Sequence, residues 1–473
     1  MAKWIARQDM TLGSHNPQPL RQASKSTGKI AALMLASTIV LTACSGDGWF
    51  GDSWFGDDDD PPLPGTRLTV LERERGLSGA TRDQVDIILP APEPNSDWPQ
   101  EGGYAHHAMQ HMVIGDSLSR AWSASIGSGN TSRDRILNGP VAAEGKVFAM
   151  DREAQVSAFD IGSGQRVWQV DLPDASLDED DGALLGGGLA YDRGRLFATT
   201  GFAKVIALNA ADGTELWRTE LDAPMRAAPT VNSGRVIAIT ADNQVVTLAA
   251  DDGRVLWTQA GAPEIASMLG ASAAAIDQGI AIVPYSSGEI YALRLASGSV
   301  LWTDAVTAVR RTDAAGNLRD VDANPVIDGT RVIVMGNSGL LTALDLRSGR
   351  RAWQVRVAGT QQPWVAGNFL YILTEDSEIA AINAITGGIV WSTGLPRWED
   401  PEDLEGPIYY TGPVLASDRL IVGGSDGYAY AVSPYSGEIL GREDVPDAMA
   451  SPPIIVDNTM LFVTTAGNLV AYR

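Results

Sequence analysis

One pattern returns along most of the chain and restricts its fold more than any other feature. A short apolar strand leads into a polar turn that ends in Gly, and a second strand then reaches Trp. The pattern occurs seven times, and its Trp position holds Trp168, Trp217, Trp257, Trp302, Trp353, Trp391 and, in the last copy, Gly441. Gly supplies the positive φ that closes such a hairpin, and Trp offers a large flat surface for packing against a neighbouring unit.

Alternating apolar runs separate the copies, as in residues 235–239 and 331–334, and each follows a turn that contains Gly. Such runs are typical of short antiparallel strands, so that one unit holds about four of them. A four-stranded unit of this kind cannot bury both faces alone. The units are therefore expected to stack or to close in a ring.

The two ends of the repeat region carry complementary halves of one unit. Residues 469–473 match the first half of the pattern without its turn and Trp, whereas residues 118–123 contain Trp122 without a first half. The 352 residues from Trp122 to Arg473 give 44 per unit over eight units, within the ~40–45 of a four-stranded blade. We therefore predict an all-β, eight-bladed β-propeller over residues 98–473, closed by N- and C-terminal half-repeats.

The N-terminal region has the features of an export signal. Lys25 and Lys29 precede an apolar run at 30–43, whose 14 residues would span only about 21 Å as a helix, too short for a bilayer core. The pattern predicts a cleaved signal peptide. The run ends in Leu-Thr-Ala before Cys44, which resembles a bacterial lipobox, in which the Cys thiol receives a lipid.

The predicted organisation is a lipoprotein signal peptide at 1–43, a lipidated Asp/Pro-rich tether at 44–97, and the propeller. Ser45, where lipoproteins kept in the inner membrane often have Asp, favours an anchor on the periplasmic face of the outer membrane. The tether is rich in Gly, Asp and Pro, a composition that favours an extended linker.

Charge and reactive side chains limit the possible functions. The net charge is −23, and the first 43 residues hold five Lys or Arg against one Asp, so the remainder carries −27. Such an acidic body disfavours nucleic acid as a partner. Cys44 is the only cysteine, and His15, His106, His107 and His111 are the only histidines. We expect no catalytic residues and no cofactor.

Two kinds of clusters are candidate metal sites. His106, His107 and His111 could hold Zn²⁺ or Cu²⁺, but their spacing does not align on one helix face, and adjacent strand residues point oppositely. Structural or surface roles are favoured. The acidic runs 178–182 and 399–403 are interpreted as solvated insertions, since the first lacks the alternating ligand order of a calcium loop. We therefore predict no metal site.

The element Ala-x-Asp-x-x-Thr/Ser-Gly-x-x-x-Trp resembles the repeat of pyrroloquinoline-quinone (PQQ) propellers, which occurs in quinoprotein dehydrogenases and in non-catalytic relatives. With the lipobox, the acidic tether and the end-to-end closure, it is similar to the BamB family of outer membrane protein assembly factors, most closely at 320–326 and 341–349. The resemblance implies a scaffold that binds a POTRA domain of the BamA barrel subunit. It also implies contacts with other assembly-complex members and with unfolded outer-membrane proteins.

In that family, partner contacts are attributed to two neighbouring inter-blade loops. The resemblance places them at Met268 and Leu269, and at Asp320 and Asp322 beside Arg319. Leu269 falls where the family has Arg, so this contact departs from the family pattern, and Arg310, Arg311 and Arg319 are the alternatives for the missing Arg. The alternative for the two acids is that they are solvated loop carboxylates.

Two other functions remain open from the sequence. A quinoprotein dehydrogenase would need a Ca²⁺ site of hard oxygen ligands, a base carboxylate and, in many members, a disulfide for which no cysteine is available. Sugar or peptidoglycan binding at a central funnel has only general aromatic support, from Trp364, Trp398, Tyr409 and Tyr410. Residues 98–103 resemble the lead-in that packs beneath PQQ-type propellers.

Overall fold

Short antiparallel strands make up most of the structure. The computed structural model describes residue 77 and residues 82–131, 135–136, 138–173, 186–225, 227–262, 272–306, 323–337 and 339–473. These residues belong to the compact unit Glu72–Arg473. Among them, no helix is long and apolar enough to cross a membrane.

The strands form eight four-stranded sheets, here called blades 1 to 8, and one two-stranded hairpin. The chain begins the ring with β1 (Arg120–Ser125). Blades 1 and 2 contain β2 (Val141–Ala143), β3 (Lys146–Met150), β4 (Gln155–Asp160), β5 (Arg166–Asp171), β6 (Gly187–Asp192), β7 (Arg195–Thr200), β8 (Lys204–Asn209) and β9 (Glu215–Glu220). Blades 3 and 4 contain β10 (Thr230–Asn232), β11 (Arg235–Ile239), β12 (Gln244–Ala249), β13 (Val255–Ala260), β14 (Ala275–Asp277), β15 (Ile280–Pro284), β16 (Glu289–Arg294) and β17 (Val300–Ala305).

The second half of the ring repeats this order. Blades 5 and 6 contain β18 (Val326–Asp328), β19 (Arg331–Gly336), β20 (Leu340–Asp345), β21 (Arg351–Val355), β22 (Trp364–Ala366), β23 (Phe369–Leu373), β24 (Glu378–Asn383) and β25 (Ile389–Gly394). The hairpin of β26 (Trp398–Asp400) and β27 (Glu405–Pro407) precedes blade 7, which contains β28 (Tyr410–Ala416), β29 (Arg419–Gly424), β30 (Tyr428–Val432) and β31 (Ile439–Asp444). Blade 8 contains β32 (Ile454–Val456), β33 (Thr459–Val463), β34 (Asn468–Tyr472) and β1.

Blade 8 joins the two ends of the propeller. Its outer strand β1 pairs antiparallel with β34, and Trp122 lies opposite Ala471. The predicted eight-bladed propeller, closed by half-repeats, is confirmed. Closure removes two long unpaired strand edges that an open ring would expose.

The antiparallel order gives the ring two different ends. The first strand of each blade and its fourth strand run in opposite directions, so all connections between blades lie at one end, called the loop face. The turns between first and second strands and between third and fourth strands lie at the other end, called the turn face. Second strands such as β15 and β23 are buried throughout because adjacent blades cover them.

The repeated Trp fastens each blade to the next. In seven blades its indole N–H donates to a backbone carbonyl of the following blade at 2.8–3.1 Å. The pairs are Trp122–Ile161, Trp168–Ala210, Trp217–Ala250, Trp257–Leu295, Trp302–Leu346, Trp353–Ala384 and Trp391–Pro434. The same contact therefore occurs at seven interfaces, the one between blades 8 and 1 and the six between consecutive blades from 1 to 7.

The turn glycine is required by this contact as well as by its backbone. Gly349 has φ +68°, and a Cβ placed on it would lie 2.6 Å from the Trp302 ring. The same crowding, at 2.5–2.8 Å, occurs at the turn glycine of each blade that receives a Trp. A side chain at this position would push the two blades apart.

Gly441 interrupts the Trp series for a structural reason. It lies opposite Ala431 on the outer strand of blade 7, in the register that Trp391 has in blade 6. The following blade is blade 8, whose third strand ends at Tyr472 and whose outer strand comes from the other end of the repeat region. No turn joins β34 to β1, so a Trp at position 441 would have no turn to contact.

Replacing Trp302 with Phe should weaken the ring at one interface. Trp302→Phe removes the donor that reaches the Leu346 carbonyl at 2.8 Å in a buried contact. The free energy of unfolding should fall by about 1–3 kcal/mol, the usual effect of leaving a buried polar group without its partner. Chemical denaturation measures it. Trp398→Phe, in the β26–β27 hairpin, is the control and should change stability little; equal losses in both variants would contradict the assignment.

Candidate partner-binding face and central funnel

The sequence-derived site residues fall mainly outside the described part of the chain. Cys44, Met268, Leu269, Arg319, Asp320 and Asp322 belong to segments that the structure does not describe, as does the acidic run 178–182. The structure does describe where the two candidate loops attach. Residues 263–271 connect β13 to β14 and residues 307–322 connect β17 to β18, so both join adjacent blades at the loop face.

The described residues that directly follow these two segments are bonded to one another. Ser272 Oγ donates to the Ala323 carbonyl at 3.0 Å, and the Ala273 N–H donates to Asn324 Oδ1 at 2.7 Å. Ser272, Ala273, Ala323 and Asn324 are called the loop base. All four are buried, so these bonds are shielded from water. The chain therefore leaves both candidate loops through one shared, hydrogen-bonded base.

Asn243 fixes the N-terminal end of the first segment. Its Nδ2 donates to the Ala262 carbonyl at 2.9 Å, and its Oδ1 accepts from the Ser286 hydroxyl at 2.9 Å. Asn243 is buried and has φ +62°, a conformation that Asn tolerates better than most residues. One side chain thus joins blade 3 to blade 4 at the point where the candidate loop begins.

A segment before β1, residues 95–112, closes the turn-face end of the central channel. This lead-in segment forms hydrogen bonds with all eight blades. In blade order, its bonded pairs are Trp98–Ala142, Pro99–Tyr191, Gln100–Val231, Ala105–Ile276, His106–Ile327, Gln110–Trp364, Met112–Ser417 and Asn95–Asp457. The segment therefore links the inner strands or their turns around the whole ring, as the resemblance of residues 98–103 implied.

Each histidine in this segment has a structural partner of its own. His107 Nδ1 lies 2.7 Å from the Pro325 carbonyl, which can only accept, so Nδ1 carries the proton. His111 Nδ1 lies 2.8 Å from the Pro90 carbonyl, and its Nε2 accepts from the Asp418 N–H. His106 Nδ1 accepts from the Ala108 N–H. Among described residues, no three His, Cys, Asp or Glu side chains gather as metal ligands.

The central channel opens at the loop face as a funnel of about 340 Å³. Its floor is formed by Trp98, Glu101 and Gly102 of the lead-in segment. Its walls come from the residues that enter the first strands of blades 1, 5, 6, 7 and 8: Asn138, Gly139, Pro140, Asn324, Thr360, Gln361, Gln362, Trp364, Thr411, Gly412, Pro413, Val414, Ala450, Ser451, Pro452 and Ile454. Trp364 lines the funnel, whereas Trp398, Tyr409 and Tyr410 are not among its described lining residues.

Glu101 gives the funnel an electrostatic feature that the sequence did not reveal. Asn324 Nδ2 donates to its Oε1 at 3.3 Å, while Oε2 is buried with no hydrogen-bond partner among the described residues. Burial raises the pKa of Glu101 to about 7, against the opposing hydrogen bonds from Asn324 and from the Ala228 backbone. The hydrogen bond also connects the funnel floor to the loop base.

The described lining does not fit a quinone cofactor with bound Ca²⁺. Such a site needs several hard oxygen ligands, including carboxylates. Glu101 is the one carboxyl among the described lining residues, and Cys44 is the one cysteine in the chain. The quinoprotein alternative therefore has no donor set in the described funnel.

The architecture defines a β-propeller of PQQ-type repeats with a plugged turn face and an open loop face. A family model described as outer membrane protein assembly factor BamB matches residues 152–393 and 375–473. The chain belongs to this BamB family.

Individual relatives agree with this assignment. BamB of Escherichia coli (strain K12) is 34% identical over 356 residues, which cover 74% of this chain and 87% of the relative. BamB of Shigella dysenteriae serotype 1 is 35% identical over the same shares of both chains.

Solved structures share the fold. The crystal structure of BamB from Moraxella catarrhalis has a TM-score of 0.64 at 21% identity, covering 76% of this chain and all of that one. A europium-containing methanol dehydrogenase also has a TM-score of 0.64, at 14% identity, covering 80% of this chain and 98% of that one. At these identities the likenesses show the propeller fold alone.

Acid should destabilise the protein partly through His107. Burial lowers the pKa of His107 to about 4, so between pH 6.5 and 4 the unfolded chain binds a proton that the folded chain does not. This group alone should therefore reduce stability as pH falls through that window, by up to roughly 3 kcal/mol. Glu101 acts oppositely, since its raised pKa favours the folded state as pH falls from 7 to 4.5.

The variant His107→Asn separates the effect of His107 on the pH dependence of stability from that of Glu101. Asn can keep the donor to Pro325, tolerates the φ of +64° at this position, and does not titrate. Its unfolding free energy, measured by denaturation at several pH values, should fall less than that of the wild type between pH 6.5 and 4. Glu101 is present in both proteins and cancels in the comparison. Identical pH dependences would show that His107 does not contribute.

Proposed function

We propose that the protein is a lipid-anchored, non-catalytic scaffold subunit of the complex that assembles β-barrel proteins into the outer membrane. It binds a POTRA domain of a BamA-like barrel subunit through the loop face and thereby assists the insertion of barrel proteins. One observation carries the proposal for this BamB-family chain: the two loops assigned to partner binding leave adjacent blades and share one buried, hydrogen-bonded base.

The shared base supports recognition of a folded partner by both loops at once. The bonds of Ser272 and Asn324 fix the ends of the two loops relative to each other, so less freedom is lost when both contact one surface. In this proposal, Met268 and Leu269 supply the apolar contact. Asp320 and Asp322 pair with basic groups of the partner, and Arg319 takes the role of the Arg that Leu269 replaces.

The described residues nearest the N-terminus contact blade 6 at both faces. The Asp83 N–H donates to the Ile389 carbonyl at 2.8 Å, whereas the Leu77 N–H donates to Glu378 Oε2 at 3.4 Å, where β24 begins at the loop face. Ile389 begins the outer strand of blade 6 at the turn face. In the proposed arrangement, the lipid on Cys44 holds the protein at the periplasmic face of the outer membrane.

The family's name and the funnel chemistry support a binding role over an enzymatic one. The relatives are named assembly factors. The described funnel lining contains a single carboxyl and neither His nor Cys, the side chains that most often carry acid–base or nucleophilic steps near neutral pH.

Charge reversal at Asp320 and Asp322 tests the partner-binding surface. In detergent extracts, the double variant Asp320→Lys and Asp322→Lys should recover at least tenfold less BamA-like subunit than the wild type, because two attractive contacts become repulsive. The matched control reverses Asp400 and Asp403 on the exposed β26–β27 hairpin and should recover the normal amount. Normal recovery with the first variant, or loss with both, would remove the assignment of this loop.

The anchor has its own test. Cys44→Ser should move the protein from the membrane fraction to the soluble periplasmic fraction, because the thiol that receives the lipid is gone. Unfolding curves of the released protein should match those of the wild type, since the ring contacts described above are made by residues from Leu77 onward, far from Cys44 in sequence. Retention of the variant in the membrane fraction would contradict lipid attachment at Cys44.

A further inference from the structure

The funnel floor presents a carboxyl group without a counter-charge. Glu101 Oε2 has no hydrogen-bond partner among the described residues, and neither Lys, Arg nor His occurs among those that line the funnel. A carboxylate shielded from water is stable only if it is neutralised by a proton or paired with a cation. The funnel therefore favours positively charged ligands and disfavours anions.

Other lining groups offer acceptors at the same cavity. Ser451 is buried, and its Oγ lacks a hydrogen-bond partner among the described residues. Gln361 Oε1 already accepts from Thr411 and from the Gly412 N–H, which shows that the amide oxygens of this wall serve as acceptors. An ammonium group has three donors and no acceptor, so it matches the unpartnered Glu101 Oε2 and Ser451 Oγ better than a carboxylate or phosphate does.

The size and the apolar parts of the funnel indicate an organic cation. A volume of about 340 Å³ lies within the range of small-ligand sites and far exceeds that of a bare ion. Trp98 and Trp364, whose ring centroids are 6.2 Å apart, both line it together with Pro140, Pro413 and Pro452. Apolar walls accommodate an alkyl chain, and aromatic rings attract cations.

We propose that the central funnel is a binding site for a primary ammonium group on a short alkyl chain, which pairs with Glu101 and hydrogen-bonds Ser451. The ligand is either a free aliphatic amine or the lysine side chain of a protein segment that enters from the loop face. The described lining residues lie outside segments 263–271 and 307–322, and the proposal does not depend on the partner proposed for those loops.

Binding should strengthen as pH rises through neutrality. The cation requires the ionised carboxylate, and burial raises the pKa of Glu101 to about 7. A primary amine remains protonated throughout this range. The fraction of competent protein thus rises about tenfold between pH 6 and pH 8, and the apparent affinity should rise by the same factor.

Calorimetric titration of the full chain with putrescine and with Nα-acetyl-lysinamide tests the proposal. At least one should bind, while 1,4-butanediol, which has hydroxyls in place of amines, should not. Glu101→Gln keeps an oxygen that can accept from Asn324 but removes the charge, and should lower the affinity at least tenfold and abolish its pH dependence. Ser451→Ala should lower the affinity several-fold and keep the pH dependence.

The outcomes distinguish the ligand sources and the possible failures. Binding of putrescine alone indicates a free amine, and binding of the lysinamide alone indicates a protein side chain. The proposal is overturned if neither amine binds, if the diol binds equally well, or if Glu101→Gln binds as tightly as the wild type. Glu438→Gln, on an exposed turn of blade 7, is the control and should bind normally, and unfolding curves of each variant verify that it is folded.

Discussion

The contact between each outer-strand Trp and the next blade is the interaction on which the ring depends. It combines an indole N–H bond of 2.8–3.1 Å with close packing on a turn glycine. A blade of this type has two apolar faces and cannot be stable alone, so the geometry of the contact between blades determines how they are arranged. Because seven interfaces use the same contact, their relative rotations are similar, and the ring closes when Trp122 of blade 8 reaches blade 1.

Closure and the lead-in segment make the loop face a fixed platform. The pairing of β1 with β34 joins the ends of the ring, and residues 95–112 add bonds to every blade from inside the channel. Neighbouring blades therefore hold the first strands that follow their connecting loops in fixed relative positions. The hydrogen bonds of the loop base connect blades 4 and 5 at the loop face. The bond from Asn324 to Glu101 links the loop base to the funnel floor. A partner on the loops and a ligand in the funnel would thus contact one continuous, rigid support.

The sequence predicted the repeating part of the structure because its physical causes are local. Turn glycine, Trp and alternating strands are each visible within about 11 residues, and the half-repeats at 118–123 and 469–473 determined the blade count. The Trp98 to Gly103 motif was recognised, but the role of Gln100, which bonds Val231 across 131 positions of sequence, was not. Glu101, Asn324 and Asn243 were missed for the same reason. Their importance comes from long-range partners, and an isolated Glu or Asn before a strand carries no local signal.

For the histidines, the sequence indicated what they do not form but not which residues they contact. Their spacing argued against a shared metal site, and in the structure each has a separate partner: His106 bonds Ala108, His107 bonds Pro325 and His111 bonds Pro90. The sequence could not reveal that His107 is buried beside Pro325, since that contact spans 218 positions.

Residues 82–97, assigned to the tether from composition, include Asp83 and Asn95, which contact blades 6 and 8. Composition shows which part of a chain is polar, but it does not show which residue is the first to contact the propeller.

The central claim is that the loop face, with its shared loop base, holds the barrel-assembly partner. Site-specific photocrosslinking in intact cells tests it directly, with the crosslinking residue placed at Leu269 in one strain and at Ser163, on the turn face of blade 1, in another. The account predicts that position 269 crosslinks a BamA-like subunit and position 163 does not. Crosslinks to that subunit from position 163 alone, or from neither position, would contradict it.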